Sequence, residues 1–326
     1  MEPIAFEARM NSQAVVEALQ QVTHEISKLI VGQDDLIEKI LAVMLANGHV
    51  LLEGVPGVAK TLSAKLLART LDIGFSRIQF TPDLMPSDVM GTNVFNPKEV
   101  AFEFKPGPIF SNLILIDEIN RAPAKTQSAL FEVMEERTIT IDGKCHQLEK
   151  PFLVIATQNP VEHEGTYALP EAQLDRFACK LIMHYPSEEQ EVEILSRHQQ
   201  FFDFHHQLQE VNKVMNAVQF NALQAEVANV NVEAKLLNYI AHIVQLTRHH
   251  AAIMLGASPR ASVTLLNTSK ALAALRGRDF VTPDDINEMA LPVLRHRISL
   301  TAEKEMEGIS SDDVIRQILK GIEIPR

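Results

Sequence analysis

His49-Val-Leu-Leu-Glu53 runs directly into Gly54-Val-Pro-Gly-Val-Ala-Lys60-Thr61. A short apolar strand, a glycine-containing loop and a helix start, in that order, match the pattern of a phosphate-binding loop, with Ala59 where the general pattern has its second glycine. Gly54 and Gly57 allow the backbone to wrap so that amide hydrogens point inward, and the following helix adds its positive N-terminal end. Lys60 is then placed to reach the β- and γ-phosphates of a nucleotide, and the Thr61 hydroxyl to ligate Mg²⁺. Ala59, at the last turn of the loop, is expected to need only right-handed backbone angles. The competing reading is a glycine-rich turn that happens to precede Lys-Thr. It explains neither the strand before the loop nor the helix after it.

Leu113-Ile-Leu-Ile-Asp117-Glu118 supplies what such a loop needs. Four apolar residues read as a buried strand that delivers two carboxylates at its C-terminal end, where α/β sheets place their ligands. Asp117 is the candidate holder of magnesium through its water shell, and Glu118 the candidate base for the attacking water. Phe152-Leu-Val-Ile-Ala-Thr-Gln-Asn159-Pro160 leaves another strand on an uncharged amide. Asn159 is a candidate to hold that water; taken alone, it reads rather as a turn residue before proline.

Further short apolar runs at Ser76–Phe80 and Cys179–His184 bring the count of expected strands to five, read as a buried parallel sheet. Ahead of them, apolar residues recur at helical spacing from Ser12 to Val31 and again from Asp34 to Ala46. After Pro186 no strand-like run follows. Ser187–Gln200, Val232–His249, Pro259–Leu275, Pro283–Leu294 and Asp312–Lys320 all read as helices, with start chemistry such as Thr282-Pro283-Asp284-Asp285. The expected fold class is thus α/β, with a nucleotide-binding core over residues 1–187 and an all-helical lid over 188–326.

Composition sets limits. Hydrophobic residues make up 46% of 326 residues, enough for a large core, and the net charge of −12 argues against a nucleic-acid binder with a basic stripe. Cys145 and Cys179 cannot make a disulfide framework. The N-terminus reads as no signal peptide, and no stretch approaches the roughly 18–20 apolar residues of a membrane span, so a soluble cytoplasmic protein is expected. His249-His250 and Phe201-Phe-Asp-Phe-His-His206 invite a metal reading, but adjacent histidines on a helix point about 100° apart, so neither pair holds one ion unaided.

Gly54–Thr61, Ile116-Asp-Glu-Ile-Asn-Arg-Ala-Pro123, Ala156-Thr-Gln-Asn-Pro160, Glu164-Gly-Thr-Tyr-Ala-Leu-Pro-Glu-Ala-Gln-Leu-Asp-Arg-Phe177 and Gly256-Ala-Ser-Pro-Arg-Ala261 occur in this order. The ordered set resembles the MoxR family of AAA+ ATPases. The resemblance implies a five-stranded αβα core of the P-loop type, a small helical lid and nucleotide-dependent assembly into rings, usually hexameric. It implies ATP and Mg²⁺ as cofactors, with ATP held by Gly54, Val55, Pro56, Gly57, Val58, Ala59, Lys60, Thr61 and Leu62. In the family's terms Lys60 and Thr61 are Walker A residues, Asp117 and Glu118 Walker B, and Asn159 sensor 1. Arg176 resembles the arginine finger that reaches a neighbouring subunit's nucleotide, and Arg260 resembles sensor 2, in cis or in trans. Val31, Gly32 and Gln33 sit where such proteins cradle the adenine through backbone contacts. Read without the family, Arg176 beside Asp175 is a surface ion pair and Arg260 a first-turn charge.

Thr92–Lys105 reads as a hairpin inserted into the second core helix, and Thr138-Ile-Thr-Ile-Asp142-Gly143 as a second hairpin. Both are expected either to touch partners or to decorate the core. The resemblance implies chaperone-like remodelling, maturation or cofactor insertion of client proteins, with a von Willebrand factor A domain protein as a partner. A nucleic-acid motor and a magnesium-chelatase-like ATPase subunit are the competing classes.

Overall fold

The computed structural model describes residues 12–325 except 56, 160–168, 201–207 and 209. Two helices lead in, α1 (Ser12–Ser27) and α2 (Asp34–Leu45). Asp34 and Asp35 occupy the first turn of α2, where the helix dipole favours acids, and Leu36, Ile37, Ile40, Leu41 and Met44 are buried along it.

The five expected strands form one parallel sheet. They are β1 (Val50–Gly54), β2 (Phe75–Gln79), then, after the β3–β4 hairpin (Gly91–Asn96 and Ala101–Pro106), β5 (Leu113–Asp117), and, after β6 (Thr138–Ile141) and β7 (Lys144–Gln147), β8 (Leu153–Gln158) and β9 (Cys179–Met183). Their order across the sheet is β2-β5-β8-β1-β9. Leu115 and Val50 both register with Ile155, so β8 lies between the two strands that lead into the Gly54–Thr61 loop and the acidic pair. All three central strands are apolar because both faces are covered, and Leu51, Leu115 and Ile155 are fully buried. Parallel strands end at one edge. That topology alone gathers Gly54, Asp117 and Gln158 on the same side of the sheet.

Helix α3 (Lys60–Thr70) follows the loop, α4 (Pro86–Met90) precedes the first hairpin, and α5 (Ala124–Glu136) connects the acidic pair to the second hairpin. The first hairpin does not interrupt a helix, contrary to expectation: α4 ends at Met90, the chain enters β3 at Gly91, and no helix resumes before β5. Gly91 explains the abrupt turn. Its φ is +95°, and a β-carbon there would lie against the backbone of Pro106 and Gly107.

Beyond β9 come α7 (Glu188–Gln200) and the helices Ala217–Val227, Ala234–His249, Pro259–Leu275, Pro283–Leu294, Ala302–Met306 and Ser311–Gly321, with short α6 (Glu171–Leu174) lying before β9. This part is not all-helical. Ile253–Leu255 and Ser299–Leu300 pair antiparallel, and Asn231 bridges Phe280. Each strand is at most three residues long, too short to show a period, and Ile253–Leu255 is largely exposed. Capping boxes fix three of the helices, Asn216 with Gln219, Thr282 with Asp285 and Ser310 with Asp313. Asp285 is wholly buried and takes both Arg278 Nη atoms at 2.6 Å, a bidentate pair that locks the turn before Pro283. The helix Pro259–Leu275 packs on α2, so one apolar core runs from Leu41 and Met44 to Leu265 and Leu272.

Candidate nucleotide site

The chain after β1 turns at Gly57 (φ +87°) and Ala59 (φ +61°, ψ +26°) before entering α3. Ala59 is left-handed, not right-handed as the sequence suggested. The second glycine of the general pattern occupies this position for that reason, and the alanine here accepts the strain. Gly54 is needed for a different cause: a β-carbon would lie 2.9 Å from both Cβ and the carbonyl oxygen of Met183 on β9. Around Gly57 the space is open, so the loop presents backbone to an incoming group at the N-terminus of α3. The Lys60 ammonium folds back onto the Gly54 carbonyl. Burial lowers its pKa, while Asp117, Glu118 and Glu53 pull the other way, which sets the cation among carboxylates. Left-handed turns, an amide-lined helix start and an ammonium form a donor set that fits a polyphosphate. Thr61 and Leu62 are half-buried in the first turn of α3, and Val58 is buried. Pro56 lies outside the described residues.

The acidic pair is divided by backbone conformation. Asp117 closes β5, whereas Glu118 stands just past it in the left-handed region (φ +59°). Two further strands hold the two carboxylates. Arg77 on β2 donates to Asp117 Oδ2 at 2.6 Å, and the Thr157 hydroxyl on β8 donates to Oδ1 at 3.3 Å. Gln79, the last residue of β2, donates to Glu118 Oε2 at 2.9 Å, Arg121 lies 3.1 Å from the same oxygen, and the Glu118 amide donates to Thr157 Oγ1 at 3.1 Å. Sequence reasoning missed Arg77, Gln79 and Thr157. The available signal was position: Gln79 and Thr157 sit at or beside the C-terminal ends of strands that flank β5. Asn159 follows β8 at the same edge and is half-buried. An acidic oxygen pair beside a threonine hydroxyl fits a hard divalent cation.

Val31, Gly32 and Gln33 form the turn between α1 and α2. Gly32 has φ +73°, and a β-carbon there would overlap the Gln190 side chain of α7. Arg197, two turns on, donates to the Ser27 and Lys28 carbonyls at 2.8 Å each, so α7 is clamped against this turn.

Arg176 and Arg260 are elsewhere. Both line a recess with Asn47, Gly48 and His49, the residues that precede β1. At about 3.3 Å per residue, β1 puts roughly 16 Å between that recess and Gly54. This exceeds the reach of an arginine side chain. Helix α5 gives the same picture: it starts near Glu118 and brings Glu135 to the far edge. Arg260 Nη2 lies 2.6 Å from Glu135 Oε1 and Arg176 Nη1 lies 3.7 Å from Oε2, while Arg176 also donates to the Phe131 carbonyl at 2.6 Å. Arg176 does not pair with the adjacent Asp175, which serves Arg297 instead. Phe177, wholly buried against Phe131 with ring centroids 5.9 Å apart, fixes the backbone beside Arg176.

Of the remaining motifs, the histidines of the Phe201–His206 run and the stretch from Pro160 to Ala168 lie outside the described residues. His250 Nδ1 accepts from the Ala252 amide at 3.2 Å and caps its turn. Among the described residues, the carboxylates of Asp35, Glu38 and Glu288 approach one another, but Glu38 and Glu288 both clamp Arg276. No helix is long and apolar enough to cross a membrane among those residues.

Comparison with known proteins agrees with this geometry. Residues 49–179 match the ATPase family associated with various cellular activities (AAA), and residues 245–318 match the AAA lid domain. The uncharacterized protein YeaC of Bacillus subtilis is 47% identical over 94% of this chain and 95% of its own. Chaperone MoxR1 of Mycobacterium tuberculosis is 44% identical over 96% of this chain and 84% of its own. The crystal structure of a candidate ATPase from Cytophaga hutchinsonii superposes with a TM-score of 0.90 at 44% identity, covering 97% of both chains. With the five-stranded parallel sheet, the glycine-containing loop after β1 and the acidic end of β5 already in place, these relatives decide the family: the chain belongs to the MoxR family of AAA+ ATPases.

Proposed function

We propose that this chain binds ATP with magnesium at the edge formed by Gly54–Leu62 and Asp117, hydrolyses it in a ring of identical copies, and uses the cycle to remodel client proteins. The observation that carries the reading is the division of charge between the two ends of β1. Lys60, Asp117 and Glu118 stand at one end, and the Arg176–Arg260 pair stands at the other.

In this reading the loop amides and Lys60 bind the β- and γ-phosphates, and the backbone of Val31, Gly32 and Gln33 cradles the adenine. Thr61 and Asp117 hold the magnesium, which when bound neutralises the phosphate oxygens. Glu118 takes the proton of the attacking water once it leaves Gln79 and Arg121, and Asn159 orients that water. Arg176 and Arg260 are too far from their own loop and act on the nucleotide of an adjacent copy, which makes hydrolysis a property of the ring. The domain division near residue 187 places the phosphate loop in the core and Arg260 in the lid, so lid rotation and turnover are coupled. The name Chaperone MoxR1 carried by a relative supports a chaperone-like role. Hexameric assembly, maturation or cofactor insertion of clients, and a von Willebrand factor A domain partner complete the proposal.

Glu118→Gln tests it. The variant keeps Asp117, Lys60 and the loop, so it is expected to bind ATP with wild-type affinity and to hydrolyse none above background. Turnover near the wild-type rate would remove Glu118 from the chemistry and the reading with it.

A further inference from the structure

We propose that Glu135 is the resident anion of a site built for phosphate, and that its displacement from Arg176 and Arg260 gates the joining of one copy to the next. The proposal rests on the reading above, in which a neighbouring copy brings nucleotide to these arginines.

The recess has a volume of about 210 Å³ and draws Arg137, Arg176, Arg260 and Arg297 together with only Glu135 and Asp175. A surplus of two positive charges at one place is unusual in a chain whose net charge is −12. Two of the four cations have other work. Arg297 is spent on Asp175 at 2.7 Å, and Arg137 donates to the side chain and backbone of Asn47. Arg176 and Arg260 are left to share one carboxylate, one oxygen each. At 3.7 Å the Arg176 contact is an ion pair, not a hydrogen bond.

The three side chains are 31%, 45% and 39% exposed, so the pairs are reachable from solvent and individually weak. A terminal phosphate carries more charge than a carboxylate and offers three oxygens, which suits two guanidinium groups at once. It would therefore outcompete Glu135 for both arginines, but only after the carboxylate moves aside, since the like charges repel. Until then Glu135 holds the two arginines together and withholds them from other anions. The fold brings this about from positions that are distant in sequence, with Glu135 at the end of α5, Arg176 after α6 and Arg260 at the start of the helix Pro259–Leu275.

The test compares wild type, Glu135→Gln, Glu135→Asp, Arg176→Ala and Glu135→Gln/Arg176→Ala by sedimentation velocity across protein concentration in saturating ATP and magnesium, the double variant being read against Arg176→Ala. Removing the competing charge with an isosteric amide should lower the concentration for half-assembly by roughly threefold to tenfold, the range that two exposed ion pairs span. Glu135→Asp, which keeps the charge, should stay near wild type. The gain should shrink in the double variant, because half of what Glu135 competes for is gone; a merely structural role for Glu135 predicts no such coupling. An unchanged or raised assembly midpoint in Glu135→Gln overturns the gate. That outcome is distinct from failure of the underlying reading, which would appear as Arg176→Ala retaining wild-type hydrolysis.

Discussion

The Asp175 carboxylate receives the Arg297 guanidinium, Nε to Oδ1 at 2.7 Å, in a pair whose arginine side chain is 1% exposed. Arg297 also donates to the carbonyls of Asp175, Phe177, Ala178 and Val293, so it stitches the end of the helix Pro283–Leu294 to the strand entering β9. The other Asp175 oxygen accepts from the Ser258 hydroxyl at 3.0 Å. One carboxylate thus fixes the residue before Arg176 and, two residues ahead of it, the approach to Arg260. The arginine pair is held from behind by a single buried ion pair.

Asp175→Ala should therefore cost about 3 kcal/mol or more of stability, because it strands a buried guanidinium whose pKa burial already lowers. Urea unfolding measures it. Nucleotide affinity should be unaffected, since Lys60 and the loop are at the opposite edge. A loss below about 1 kcal/mol would show that the four carbonyls suffice for Arg297.

Ala59 offers a test of the loop's backbone. Its left-handed conformation costs an L-residue about 1–2 kcal/mol, and glycine returns most of that while losing about 0.4–1 kcal/mol to unfolded-state entropy. Ala59→Gly should stabilise the chain by up to about 1 kcal/mol in thermal unfolding, and Ala59→Val should destabilise it by a similar amount. A destabilised glycine variant would mean the alanine methyl makes a contact worth more than the strain.

Much of the architecture is legible in sequence because the central strands are largely apolar on both faces and end in residues of another kind: Glu53-Gly54 after the three core residues Val50–Leu52, and Asp117 after four. The failures have physical causes. Ile253–Leu255 is too short and too exposed to show a period. The helix Ala217–Val227 has little amphipathic signal, although Asn216 with Gln219, a capping box, marks its start. The conformation of Ala59 is set by the loop it closes, and alanine's identity does not announce it. Glu135 reads as one of two adjacent acids on an ordinary helix; only the fold carries it to Arg260, 125 positions away. The residues at the Gly54–Asp117 edge could be named as candidates because they cluster in short motifs, whereas the arginine edge is assembled from single residues on separate elements.

Acid should weaken the core from His49 outward. The ring lies wholly inside, with Nδ1 accepting from the Val154 amide at 3.0 Å and Nε2 facing the Met134 carbonyl at 3.1 Å, which defines the neutral Nε2–H tautomer. Burial, aided by the nearby Arg137 charge, lowers its pKa from 6.5 to about 4. Between those values the unfolded chain takes up a proton that the folded chain refuses. Stability from this residue is full above pH 6.5 and is lost as pH falls towards 4, by about 3 kcal/mol in all. Buried His296, lowered by desolvation and by Arg297, acts in the same direction. Urea midpoints taken at pH 7.5, 6 and 5 should fall in that order, with a shallower slope in His49→Gln. A flat wild-type profile would contradict the buried neutral ring.

The distance between the two ends of β1 leads to the most demanding prediction. An arginine that stabilises charge on the transferred phosphoryl is worth on the order of 10³–10⁵ in rate. Arg176→Ala should keep ATP affinity, because the phosphate loop is untouched, and lose hydrolysis. Lys60→Ala should bind ATP at least about tenfold more weakly, having lost charge-assisted bonds of roughly 1.5–3 kcal/mol, yet it still presents Arg176 to a neighbour. Neither variant turns over alone. Mixed together, the Arg176→Ala copies supply bound ATP and the Lys60→Ala copies supply the arginine, so interfaces between them should regain part of the wild-type rate. If Arg176 served its own nucleotide, every mixed interface would lack one essential group and no activity would return. Exchange of copies is verified independently by fluorescence transfer between labelled subunits; with exchange shown, an inactive mixture rules out action across the interface.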